Sequence, residues 1–142
     1  MPTHENKEIE VKFAVNDFTH YRTALQASGA KHTKTVFEKN FLFDDESHSL
    51  ARAGKLLRLR DEGEKIKITF KQRLPNAEFK ECLEYKLEVS DFIDARQLIE
   101  SLGFQKVFAY EKKREGWHLG DAYITFDEVP CGKYIEIEAS EK

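Results

Sequence analysis

Apolar and charged side chains alternate along most of this chain, and the alternation predicts strands. In "KEIEVKF", Glu8, Glu10 and Lys12 share one face while Ile9, Val11 and Phe13 share the other. "LLRLR" places Arg58 and Arg60 together, and "KIKITFK" places Lys65, Lys67 and Lys71 opposite Ile66, Ile68 and Phe70. "CLEYKLEV" sets Glu84, Lys86 and Glu88 against Leu83, Tyr85, Leu87 and Val89; "YIEIE" sets Glu136 and Glu138 against Ile135 and Ile137. Eight strands are predicted, at about 7–14, 37–44, 55–61, 65–73, 81–90, 106–116, 121–128 and 133–139.

Two helices interrupt them. The first is capped by Asn16 or Asp17, carries Phe18, Tyr21 and Leu25 on one side, and ends at Gly29. The second is capped by Ser90 or Asp91, carries Phe92, Ala95, Leu98, Ile99 and Leu102, and ends at Gly103. "DDESHS" reads as a turn. The helices expose an internal repeat: "IEVKFAVNDF" (9–18) resembles "LEYKLEVSDF" (83–92), matching Glu10 to Glu84, Lys12 to Lys86 and Gly29 to Gly103. Each half then reads strand, helix and three strands. The expected fold is α+β, a single domain over 1–142: an eight-stranded antiparallel β-barrel of two pseudo-repeated halves, with the helices packed outside. Closure with charges inward leaves a wet lumen in which they can pair. An open sheet with one solvated face is the alternative that patterning alone leaves standing.

Composition sharpens the chemistry. Charged residues make up 35% of the 142, yet the formal net charge is only −3. The cations are balanced overall, which argues against a general nucleic-acid binder. No apolar run approaches the roughly 20 residues that span a bilayer, so no membrane partner is expected. The polar, acidic start is no signal peptide. The two cysteines, Cys82 and Cys131, fit no metal spacing, and a reduced cytoplasmic setting follows. On the charged face, Glu8, Glu10, Glu84, Glu88, Asp127, Glu136 and Glu138 are hard oxygen donors of the kind that take Mg²⁺ or Mn²⁺. Lys12, Arg58, Arg60, Lys71, Lys112 and Arg114 are cations on four strands, and paired arginines suit phosphate oxygens. A polyphosphate bound with a divalent metal would use both kinds together.

In chain order, "EIEVK", "NFLFDDESHSLARAGKLLRLR", "ITFK", "YEKKR", "FDEV" and "GKYIEIE" resemble the CYTH family, the triphosphate tunnel metalloenzymes, from about Glu8 to Glu138. That family includes class IV adenylyl cyclases, thiamine triphosphatases and inorganic triphosphatases. The resemblance implies a tunnel that binds a triphosphate-containing small molecule and a divalent metal, Mg²⁺ or Mn²⁺. By motif it implies metal ligation by Glu8, Glu10, Glu136 and Glu138. It implies substrate contacts from Lys12, Arg58, Arg60, Lys71, Lys112 and Arg114, with Lys86 added because it echoes Lys12 in the repeat. Lys12, Asp127 and Glu84 are the expected catalytic group. Two departures stand out: Cys82 stands where related sequences often carry arginine, and Lys86 where they carry a carboxylate, which bears on a second metal position. Relatives also continue into another helix and a basic tail past the last acidic strand. The expectation here is a less closed end, a shortened protein, or cover by a partner subunit, as in a homodimer. Three activities fit: metal-dependent triphosphate hydrolysis, the favoured reading; cyclisation of ATP to cyclic AMP and pyrophosphate; or non-catalytic binding of a polyphosphate or nucleotide.

Overall fold

The computed structural model describes residues 7–75 and 80–140, with the side chains of Lys80 and Ser140 left aside. Eight strands alternate with three helices: β1 (Lys7–Val15), α1 (Thr19–Ala27), β2 (Lys31–Asp44), α2 (Ser49–Arg52), β3 (Lys55–Asp61), β4 (Ile66–Arg73), β5 (Lys80–Val89), α3 (Phe92–Ser101), β6 (Gln105–Leu119), β7 (Ala122–Val129) and β8 (Gly132–Ser140). All pairings are antiparallel, and the sheet closes on itself in the order β1-β5-β4-β3-β2-β6-β7-β8. The open-sheet alternative is thereby set aside. A closed ring leaves no unpaired edge, and its short seam is β1 with β5, where register runs only from Lys7↔Leu83 to Glu10↔Lys80.

Outward-facing apolar residues form two separate cores, each sealed by one long helix. Phe43, Leu59, Ala95 and Ile99 are buried together, with Leu57, Ile68, Val89 and Phe92 packed around them. Trp117, Ile124, Phe126 and Ile135 form the other, with Val15, Phe18 and Leu25 against them. Exchanging the first four strands for the last four (β1 with β5, β2 with β6, β3 with β7, β4 with β8) leaves every pairing in the ring unchanged. The same exchange carries one core onto the other, with Val15 answering Val89 and Phe18 answering Phe92. Among the described residues, no helix is long and apolar enough to cross a membrane.

Several local expectations needed correction. β2 begins at Lys31, six residues earlier than the alternation suggests, because its outer end shifts register between His32 and Thr35 and so breaks the pattern. Helix α1 starts one residue late: Phe18 is its cap position, although the Asp17 carboxylate accepts a hydrogen bond from the Thr19 amide at 2.6 Å. In α3, Asp91 caps as expected, accepting from the Asp94 amide, but Leu98 and Leu102 are 59% and 70% exposed and do not join the core. The "DDESHS" turn leads into α2, which the sequence did not announce. Its amides are gathered by a buried carboxylate: Asp44 accepts from Asp45 (2.8 Å), Leu50 (3.0 Å) and Ala51 (3.0 Å). Asp44→Ala would strand three amide donors, each costing about 1–3 kcal/mol if left buried without a partner. We expect urea unfolding to show a loss of about 2–4 kcal/mol. A loss under half a kcal/mol would mean that water replaces the carboxylate.

Candidate functional site: a charged tunnel

The inward parity of the strands produces a cavity of about 470 Å³, within the usual range for small-ligand sites. Its walls differ in sign. The adjoining strands β5, β1 and β8 bring Glu84, Glu8, Glu10, Glu136 and Glu138 into it; the adjoining strands β4, β3, β2 and β6 bring Lys67, Lys71, Arg58, Arg60, Lys34, Lys112 and Arg114. Lys12 and Lys86 are cations on the acidic side, and Glu38 an acid on the basic side. These charges lie deep: Glu10 is 4% exposed, Arg60 4%, Lys112 7% and Glu136 7%. Burial at that depth demands compensation, and the tunnel supplies it unevenly.

On the acidic wall, Glu8, Glu10, Glu136 and Glu138 bring carboxylate oxygens within 4.8 Å of one another. An oxygen-only donor set is what a hard divalent cation takes. Burial first, then the proximity of Glu10, pushes Glu136 above its ordinary range, against the pull of Arg114. Next to this cluster, burial and a hydrogen bond with Glu84 raise Glu8 to about 8 against the pull of Lys71. Glu84 is also buried, yet that hydrogen bond and the ammonium groups of Lys71 and Lys86 hold it down to about 2. The two carboxylates lie close enough to oppose each other's ionisation. Such repulsion is what a bound cation relieves.

On the basic wall, Arg114 makes a two-pronged contact with Asp127, both bonds 2.8 Å, and reaches Glu136 at 3.5 Å. Arg60 donates from Nε to the Asn40 Oδ1 at 2.7 Å and lies 3.2 Å from the Glu38 carboxylate. Arg58 differs from both. It is 8% exposed, its Nε has no hydrogen-bond partner, and it makes no ion pair among the described residues. A buried guanidinium without an anion is costly, so its surroundings suit a ligand that carries negative charge.

The chain matches the CYTH domain family over residues 6–142. It belongs to the CYTH family. Among solved structures, the PH1012 protein from Pyrococcus horikoshii is 30% identical, with a TM-score of 0.82, covering 95% of this chain and 79% of that one. A Methanocaldococcus jannaschii protein bearing the name "Putative adenylate cyclase" is 27% identical over 134 residues, covering 94% of this chain and 77% of its own. A Hippeastrum protein bearing the name "Putative adenylyl cyclase", described with a dominant triphosphatase activity, is 20% identical with a TM-score of 0.66, covering 95% of this chain and 80% of its own; that likeness shows the fold alone.

For a CYTH protein, the placement of the expected residues is informative. Twelve of them line the cavity: Glu8, Glu10, Lys12, Arg58, Arg60, Lys71, Glu84, Lys86, Lys112, Arg114, Glu136 and Glu138. Asp127 does not reach its surface. It is 1% exposed, bonded to Arg114 and 3.6 Å from Lys112. Glu88 is exposed and does not line the cavity, since β5 carries it past the mouth. Lys12 lies over the Tyr134 ring at 5.0 Å. Residues beyond the expected set also line the tunnel: Lys34, Glu38, Tyr110 and Tyr123. Tyr110 shares parity with Lys112 and Arg114 and was readable on that ground. Lys34 was not, because it sits in the register-shifted end of β2.

Lys112 gives the tunnel a pH signature. Burial, then the neighbouring Arg114 and Arg60, lower its pKa to about 8, against the pull of Asp127 and Glu38. Below pH 8 the free protein already holds the ammonium charge. Above it the proton is gone, and an incoming polyanion must bring the proton back. Metal-free tripolyphosphate should therefore bind with little pH dependence from this group below pH 8, and lose affinity as pH rises toward 10. Calorimetry at pH 8.5 in buffers of different ionisation enthalpy should show proton uptake, abolished by Lys112→Arg. Uptake that persists in the variant would assign the proton elsewhere.

Proposed function

We propose that this chain hydrolyses a triphosphate held in the tunnel, with Mg²⁺ or Mn²⁺ on the acidic wall. One observation carries the reading: a buried arginine without a counter-ion among the described residues, Arg58, lines the same cavity as a four-carboxylate cluster. A simple anion-binding pocket needs only the first, and a simple cation site only the second. A polyphosphate accompanied by a metal ion needs both.

Glu8, Glu10, Glu136 and Glu138 would hold the ion, which supplies Lewis-acid polarisation of a phosphoryl oxygen and offsets the repulsion on that wall. Arg58, Arg60 and Lys112 neutralise non-bridging oxygens and fix the chain of phosphates along the tunnel. Asp127 keeps Arg114 extended toward them. In the reaction a water oxygen bonds to phosphorus, the bridging P–O bond breaks, and the remaining phosphates leave with the bridging oxygen. The proton that the water gives up passes to the departing phosphate or to solvent. Glu84 alone is a poor base, being held so far below neutrality.

Tripolyphosphate and thiamine triphosphate fit this reading more closely than an adenine nucleotide. The uncharged lining consists of Val36, Leu56, Tyr110 and Tyr123, spread over four strands, which offers little continuous apolar surface for a purine. The triphosphatase activity described for the Hippeastrum protein is the same chemistry in the same fold. The cyclase name of the M. jannaschii relative supports the rival reaction, attack of a ribose 3′-hydroxyl on the α-phosphorus with loss of pyrophosphate. One panel decides: tripolyphosphate, thiamine triphosphate and ATP, each with Mg²⁺ and with Mn²⁺, monitored for phosphate, pyrophosphate and cyclic AMP. Phosphate release is the expected result. Cyclic AMP from ATP would replace hydrolysis with cyclisation, and tight binding without product would leave a binding module.

A further inference from the structure

The Lys71 ammonium is enclosed by carboxylates to an unusual degree. Its Nζ lies 3.2 Å from Glu8, 3.1 Å from Glu84 and 3.9 Å from Glu10. The side chain is only 19% exposed, and these acids hold its pKa above the usual lysine value although burial alone would lower it. Two of the three, Glu8 and Glu10, also belong to the four-carboxylate cluster with Glu136 and Glu138. The acidic wall therefore has two cation positions that share Glu8 and Glu10 as common walls. One is bounded by Glu136 and Glu138. The other is bounded by Glu84 and filled by the end of a side chain.

We propose that Lys71 is a built-in cation occupying the second of these positions, so that the tunnel takes one divalent ion where its carboxylates would otherwise hold two. The register explains how it gets there. Lys71 pairs with Glu84 across β4 and β5, and the short β1–β5 seam places Glu8 and Glu10 directly beyond. Lys86, 3.2 Å from the other Glu84 oxygen, completes the neutralisation from the mouth. The ammonium donates a hydrogen bond to Glu8 and lies within ion-pair distance of Glu84 and Glu10, and a divalent ion entering the same space would meet a fixed positive charge a few ångströms away. On this account Lys71 belongs to the metal side of the tunnel, while Arg58, which has no acid partner, is left to the phosphates. The inference rests on reading the four-carboxylate cluster as a metal site.

The test is equilibrium Mn²⁺ binding without substrate, with free Mn²⁺ followed by electron paramagnetic resonance. The protein should bind one Mn²⁺ per chain, Lys71→Met two, and Lys71→Arg one. Two ions in the unaltered protein, or one in both it and Lys71→Met, would overturn the proposal. No ion in the unaltered protein but one in Lys71→Met would support the role of Lys71 while removing the four-carboxylate cluster as a metal site. No ion in either would remove both. Matching melting temperatures for the lysine variants would guard against misfolding, and Glu84→Gln added to Lys71→Met should return the count to one Mn²⁺ by removing a wall of the second position. Two ions in that double variant would place the second ion elsewhere and defeat the proposal.

Discussion

Arg58→Ala should weaken tripolyphosphate binding, measured by calorimetry in EDTA, by about 10- to 100-fold. The figure follows from a charge-assisted hydrogen bond, worth about 1.5–3 kcal/mol, at about 1.4 kcal/mol per decade. The site makes Arg58 the sharpest probe on the basic wall. Arg60 is tied to Asn40 and Glu38, and Arg114 to Asp127, so removing either also frees a buried acid or amide. Among the described residues, Arg58 has no such partner to strand. Its removal relieves an uncompensated buried charge, so the variant should be at least as stable as the original while binding less. Loss of stability together with unchanged affinity would mean that Arg58 serves the fold and that the phosphates lie elsewhere. Arg58→Lys should recover only part of the affinity, since an ammonium cannot reproduce the planar fork.

The strands and their faces were legible because charge and apolarity alternate so regularly. Glu8, Glu10, Arg58, Arg60, Glu136 and Glu138 line one cavity, while Leu57, Leu59 and Ile135 pack outside it. What alternation cannot carry is which strands adjoin. That Glu84 lies beside Glu8 depends on β1 pairing with β5, more than seventy residues away, and the separation of charge by wall follows from that order. Lys71 shows the consequence. Its parity placed it correctly in the tunnel, and its neighbours in sequence associated it with the arginines. Its neighbours across the β4–β5 ladder are acids instead. Asp127 is a similar case: residue type and position suggest a reacting group, and only the fold shows that both its oxygens are bonded to Arg114. Leu98 and Leu102 were misread because a ten-residue helix on a curved sheet buries a narrower stripe, here Ala95 and Ile99. The exchange symmetry of the ring gives the short repeat between residues 9–18 and 83–92 a physical counterpart, since both segments enter a helix that seals an equivalent core.

Glu136→Gln should separate the metal from the phosphates. The substitution preserves shape and leaves Arg114 anchored by Asp127, but withdraws one negative charge from the acidic cluster. If Glu136 helps to hold the ion, the metal concentration needed for half-maximal turnover should rise by about 10- to 100-fold, the scale on which loss of supporting groups alters metal sites. Affinity for metal-free tripolyphosphate should move the other way. With phosphates in the tunnel as proposed, the buried Glu136 would repel them, so its neutral analogue should bind them as tightly or more tightly in EDTA. The gain should grow as the pH rises. Burial and Glu10 raise the pKa of Glu136, so at lower pH the original side chain already spends more time uncharged and the two proteins converge. Set beside Arg58→Ala, the pair forms a cross: one variant loses affinity in EDTA with its metal requirement little changed, and the other keeps affinity while its metal requirement climbs. Equal losses of EDTA affinity in both, with no change in metal dependence, would mean that the tunnel is a single undivided anion site and that the acidic wall serves only to balance the charge of the basic one.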